Sequence, residues 1–465
     1  MRPSHVLVAL LVVSSCSRHG LTLRGNHSVD AGRDLAVDSA TDAPADADTA
    51  RPAESATDAI DSPIVGTDAR ADSALDASPD SWPDEAVAIV DASADLASDV
   101  RDGRDAAPCL WAGFAPQVSY PTGYVSQSMS IAAGDFDRDG HVDFAVASSR
   151  LNTISLYFNN GDGSFGNRID NVPFAAASSV WVGDFNGDDY PDILATQNPP
   201  SLGLFINRRD GTFAPVDPYP SDSLSSLAIG DFNGDQALDI AIGGPRDAGV
   251  ALWLNDGTGR FAPPLPQVAD VNVGSITAGD FDGDGHLDIA VADRASQALT
   301  IWLNDGSGAF RSHASLDIGG CYGPVAVGDF DGDGRLDLAI ATCFPSSLGL
   351  LFNQGMGTFA APVTYPGPVT DAGAMSNILA IVVADFDGDG HLDIAGVDGS
   401  DFMGGALVWF NTNGNGRTWN PVHYPAGLEN MNITAGDFNG DGHPDLAVLN
   451  YASNTVSVLL SRCKE

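Results

Sequence analysis

Between Phe114 and Leu460 the chain alternates short apolar runs with breaks rich in Asp, Asn and Gly. A run such as Val180-Trp-Val182 or Leu227-Ala-Ile229 leads into an acidic break. A second run leaves it (Phe144-Ala-Val-Ala147, Ile289-Ala-Val-Ala292), and a third follows (Ile154-Ser-Leu-Tyr-Phe158, Leu299-Thr-Ile-Trp-Leu303). A turn of the type Asn304-Asp-Gly-Ser-Gly308 then precedes a fourth run that opens on Phe310. Runs this short, bounded by turn residues, predict a meander of four antiparallel strands. The acidic break starts at Asp135 and recurs at intervals of 49, 47, 49, 49, 56 and 52 residues. Such a period matches one propeller blade, so seven copies predict an all-β, seven-bladed propeller of four-stranded blades.

The two ends of this array complement each other. The last copy reaches its third run at Val456 to Leu460 and lacks a fourth. Phe114-Ala-Pro-Gln-Val-Ser-Tyr-Pro121, at the other end, matches fourth-run text such as Phe359-Ala-Ala-Pro-Val-Thr-Tyr-Pro366. The N-terminal strand is therefore expected to complete the final blade, closing the ring without a free edge. Superposing the repeats places Cys109 and Cys463 at adjacent positions of the turn that the chain ends interrupt, which predicts a bridge between them. Cys321 and Cys343 flank the fifth acidic break almost symmetrically and form the second expected pair.

Upstream the pattern disappears. Residues 1–16 combine Arg2, an apolar run from Val6 to Val13 too short to span a bilayer, and Val13-Ser-Ser-Cys16. That ending resembles a bacterial lipobox with Cys16 as the lipidated residue; an ordinary cleaved signal is the alternative. Either way the protein is expected to be exported, as a membrane-anchored lipoprotein facing the outside or the periplasm, or as a secreted chain. Residues 17–107 hold 20 acidic side chains, seven arginines and no lysine in an Ala-, Asp- and Ser-rich text. Such a composition buries too little surface to offset ordering entropy and predicts a disordered acidic spacer. Residues 108–465 form the propeller.

The acidic breaks carry the candidate chemistry. Each is a nonapeptide with oxygen-bearing side chains at positions 1, 3, 5 and 9, a carbonyl available at position 7, and usually glycine at position 6. The sets are Asp135, Asp137, Asp139 and Asp143; Asp184, Asn186, Asp188 and Asp192; Asp231, Asn233, Asp235 and Asp239; and Asp280, Asp282, Asp284 and Asp288. They continue with Asp329, Asp331, Asp333 and Asp337; Asp385, Asp387, Asp389 and Asp393; and Asp437, Asn439, Asp441 and Asp445. Calcium takes six to eight hard oxygens, and a short loop supplies them from alternate side chains plus a carbonyl. Up to seven calcium ions are expected. Asn at position 3 weakens the second, third and seventh loops, and Gln236 at position 6 marks the third as the weakest. His141, His286, His391 and His443 fall at position 7, where the backbone is used, so zinc is not expected.

Charge narrows the partners. From residue 108 onward there are 42 acidic and 13 basic side chains, which excludes a nucleic-acid ligand. The loop, with its preceding small residue and following strand text such as Leu287-Asp-Ile-Ala-Val-Ala292, resembles the FG-GAP repeats of integrin α-subunit propellers and the related bacterial VCBS-type repeats. That resemblance implies calcium at one rim and recognition of a protein or carbohydrate through other loops. The expected function is an extracellular binding or adhesion module, a monomeric propeller reaching the membrane only through its lipid. A lectin is the alternative. A polysaccharide-active enzyme is less favoured, because no nucleophile elbow, H-E-x-x-H or CxxC occurs.

Overall fold

The computed structural model describes residues 11–13 and 111–463, apart from short segments at 124–127, 198–200, 216–217, 221–223, 225, 245–248, 269–270, 319–322, 344–345, 368–377, 400–403 and 418. The expectations for Cys16, for the spacer at 17–107, and for Cys109 and Cys321 lie outside the described residues, as does the side chain of Cys343. Every described element is a strand or turn, and among the described residues no helix is long and apolar enough to cross a membrane.

The strands form seven antiparallel blades, a β-propeller. Each blade begins with an inner strand: Ser128–Gly134, Ala177–Gly183, Ser226–Gly230, Val273–Gly279, Val325–Gly328, Ile378–Ala384 and Asn430–Gly436. The acidic loop joins it to the second strand, and hairpins add the third and fourth, as in the order Val273–Gly279, Asp288–Asp293, Ala298–Asn304, Phe310–Asp317. Inner strands pack together between the first and second blades and from the third blade round through the seventh to the first. A three-residue strand, Leu11–Val13, also runs antiparallel to the inner strand of the sixth blade.

The ring closes as the repeat text predicts. Val118–Pro121 pairs antiparallel with Thr455–Leu459 as the outer strand of the seventh blade. The structure adds a second piece, since Trp111–Phe114 pairs with Ser461–Cys463 beyond the end of the third strand. Cys463 is disulfide-bonded, and Cys109 lies two residues before the strand that pairs with it.

The blades are held by a repeated aromatic contact. The Phe at loop position 2 is fully buried in every copy, from Phe136 to Phe438. Each meets, edge to face, an aromatic at or shortly before the start of the outer strand of the next blade: Phe136 with Phe213 at 5.7 Å, Phe232 with Phe310 at 5.7 Å, Phe330 with Trp419 at 5.9 Å. The same contact seals both ends of the chain, as Phe386 with Phe114 at 6.0 Å and Phe438 with Phe165 at 5.5 Å. Pairs of this geometry contribute about 0.5–1.5 kcal/mol beyond their area. Close approach of blades also explains the small residue before each loop: a Cβ at Gly183 would stand 2.9 Å from Leu238 Cδ1 of the next blade.

Candidate metal centre

Each loop is a tight coil of backbone wrapped around its own carboxylates. In the fourth, the amides of Asp284 and Gly285 donate to Asp280 Oδ1 (3.1 Å) and Oδ2 (2.9 Å), the amide of Asp284 also reaches Asp282 Oδ1, and the amide of His286 reaches Asp284 Oδ1. The coil needs left-handed backbone at two positions, not the one visible in the sequence. Positions 4 and 6 have positive φ in every copy, +82° and +90° at Gly283 and Gly285. Three residues other than glycine accept that conformation: Arg138, Asp189 and Gln236.

The carboxylate at position 9 has a second task. It is the first residue of the second strand, it is buried in all seven loops, and both its oxygens accept backbone N–H groups. Asp288 Oδ2 takes the amide of Phe281 at 2.9 Å, and its Oδ1 takes the amide of Asn304 at 2.8 Å. Asn304 in turn donates from Nδ2 to the carbonyl of Leu287 and, across the blade boundary, to the carbonyl of Phe232 at 2.7 Å. The same relay runs through Asn159, Asn207, Asn255, Asn353 and Asn411. The sequence reading did not single out these asparagines, although their fixed place at the end of the third strand, starting the Asn-rich turn, was a usable signal. In the seventh blade Ser461 stands in their place: its amide reaches Asp445 Oδ1 at 2.6 Å, and no side-chain amide is present to grip the preceding blade. The disulfide at Cys463 and the Phe114 contact lie at this one junction without the amide.

Three carboxylates converge in four loops. Ligand oxygens of Asp135, Asp137 and Asp143 lie within 4.8 Å of one another, as do those of Asp280, Asp282 and Asp288, of Asp329, Asp331 and Asp333, and of Asp385, Asp387 and Asp393. These are the four copies with aspartate at position 3. Burial raises the position-9 carboxyls, opposed by the two amides: to about 8 at Asp143 and Asp393, about 7 at Asp192, Asp337 and Asp445, and about 6 at Asp239 and Asp288. Neighbouring loop carboxylates push in the same direction. Asp331 Oδ1 is buried without any hydrogen-bond partner among the described residues. Like charges held this close, with an orphaned oxygen among them, suit a hard divalent cation.

The copies differ in what else reaches position 5. Arg209 Nε donates to Asp188 Oδ2 at 3.1 Å in the second loop, and Arg335 pairs with Asp333 Oδ2 in the fifth. Asn233 and Asn439 donate Nδ2 to Asp235 and Asp441 in the third and seventh. The position-7 histidines join none of the clusters. His141 and His286 instead rest against the turn glycines Gly161 and Gly306 of their own blades.

The sequence matches the FG-GAP-like repeat family over residues 135–195, 184–242, 231–291, 280–340, 329–396 and 394–448. No curated protein matches the chain. Among solved structures, a BBS1N–ARL6DN complex soaked with lead is similar with a TM-score of 0.51 at 11% identity, covering 76% of this chain and 97% of that one. The mercury-soaked form of that complex gives 0.52 at 10% identity with the same coverage. An Agrocybe aegerita lectin described as recognising non-reducing terminal N-acetylglucosamine gives 0.47 at 19% identity, covering 70% of this chain and 86% of that one. At these identities the likeness concerns the fold.

Proposed function

This chain belongs to the FG-GAP-like repeat family, and on that premise we propose that it is an extracellular binding module whose blades are locked by calcium. The observation that carries this reading is the relay from acidic loop to blade boundary. A cation held by positions 1, 3, 5 and 9 would fix the carboxylate that orders both the position-2 Phe and the asparagine gripping the preceding blade. Calcium would neutralise crowded carboxylates and set loop geometry, and no chemical step is required of it. The loops are thus structural, and recognition falls to surfaces that break the repeat.

In this reading the protein is exported, anchored by lipid at Cys16 or released after cleavage, and held away from the membrane by the acidic spacer. Its partner is an extracellular protein or glycan, and it is not an enzyme. Cys109 is the partner of Cys463, and Cys321 pairs with Cys343. A lectin is the second reading, favoured by the aromatic-lined cleft described below. Glycan arrays and pull-downs from surface extracts, each with and without EDTA, test the proposal. Retention of a partner that is lost on chelation supports it; turnover of a polysaccharide, or no partner in either format, overturns it.

A further inference from the structure

Repetition makes exceptions visible, and one junction departs from the other six in several ways at once. Position 7 holds His, Tyr or Ala elsewhere, but Arg335 in the fifth loop. The turn between the third and fourth strands of the sixth blade, Asn411 to Trp419, is two residues longer than its counterparts such as Asn304 to Phe310, and it carries Arg417. Both arginines line a half-open cleft of about 450 Å³ between the fifth blade and that turn. Its walls include the rings of Phe352 and Tyr365, and Gln354 and Asp331 supply further polar groups. Tyr365 donates its hydroxyl to the carbonyl of Gly416 at 2.9 Å, which fixes the longer turn against the fifth blade.

We propose that this cleft binds a sugar residue bearing a carboxylate, a uronate-type unit of an acidic glycan. The inference rests on the binding-module reading and assigns its ligand class. Aromatic walls with a few converging polar groups suit a pyranose ring, and a guanidinium presents the planar fork that matches a carboxylate. Arg417 is exposed, and its guanidinium has no carboxylate partner among the described residues, in a domain where acids outnumber bases more than threefold. Arg335 donates Nε to the carbonyl of Asn353 at 2.9 Å and pairs with Asp333. If Asp333 turns its oxygen to a cation, Arg335 is released toward the cleft, so calcium and the acidic sugar should favour each other's binding, and reciprocally.

The test uses the full mature chain with calcium, titrated by calorimetry with galacturonate and glucuronate, with galactose and glucose as neutral controls and with acetate as a bare carboxylate. The proposal predicts uronate binding that weakens at least tenfold in Arg417→Gln, with no neutral-sugar or acetate binding at the same concentrations. Arg335→Gln is the second variant, and calcium melting curves on both confirm that the propeller is intact. Equal binding of neutral and acidic sugars, or no loss in Arg417→Gln, overturns the assignment. Acetate binding as tightly as the uronates overturns the sugar component. If the cleft fails while arrays or pull-downs still retain a partner, the module reading stands without it. If nothing is retained in any format, the module reading falls as well.

Discussion

The fourth and third loops have the same fold and the same relay, yet they differ as candidate metal sites. In the fourth, three carboxylates converge within 4.8 Å, and both left-handed positions are glycine. In the third, Asn233 replaces one carboxylate and donates to another, and Gln236 occupies a backbone conformation that costs an L-residue about 1–2 kcal/mol. The difference separates two tasks within one motif. Position 9 belongs to the fold and is kept in every blade, whereas positions 3, 4 and 6 vary.

The largest expected effect tests that separation. Asp288→Ala and Asp239→Ala each strip two buried amides of their acceptor and should cost about 3 kcal/mol, equally in both loops, by denaturant melting of the calcium-free chain. No cost in either variant of the calcium-free chain would mean that position 9 serves only the metal. Acidity is the next lever. The buried carboxyls have folded values of about 6 to 8, above their unfolded value near 4, so the protonated form favours the folded state. For the calcium-free protein that stability is complete below about pH 4 and is lost as pH rises through 6 to 8. Melting temperatures in EDTA should therefore fall from pH 5 to pH 8, and saturating calcium should flatten or reverse the trend. A calcium-free chain more stable at pH 8 than at pH 5 would contradict the burial account.

Much of this was legible in advance because it repeats. The period, the acidic positions and the fourth-strand text shared by Phe114 and Phe359 sufficed for blade number and ring closure. The pairing of Phe114 with Ser461 follows the register of Asn353 with Phe359 and Asn159 with Phe165, but Trp111 to Gly113 match no repeated text, which made that extension less visible. The asparagine relay was hidden for another reason: its residues lie 15 to 18 positions from their carboxylate, as Asn304 lies 16 from Asp288, and 70 or more from the carbonyl they grip, and turn-rich text makes any one Asn unremarkable. Competition at position 5 depends on where Arg209 and Arg335 fold back, which spacing alone does not give.

Smaller effects sharpen the ranking of sites. Arg209→Gln removes the guanidinium from Asp188 and should tighten calcium at the second loop two- to fivefold, the range of an exposed ion pair, as read by calorimetry. Weaker binding would show that Arg209 supports the loop rather than competing for it. Gln236→Gly relieves the left-handed strain of the third loop and should stabilise the chain by about 1 kcal/mol. Destabilisation in that variant would place the cost of the third loop elsewhere.

The central claim is that the acidic loops are calcium sites that lock the blades. Scanning calorimetry of the chelated chain, titrated with calcium and separately with magnesium, tests it most directly. The account predicts a rise in melting temperature of roughly 10 °C or more with calcium, saturating as the four three-carboxylate loops fill, and a smaller rise with magnesium. A melting temperature unmoved by calcium would contradict it.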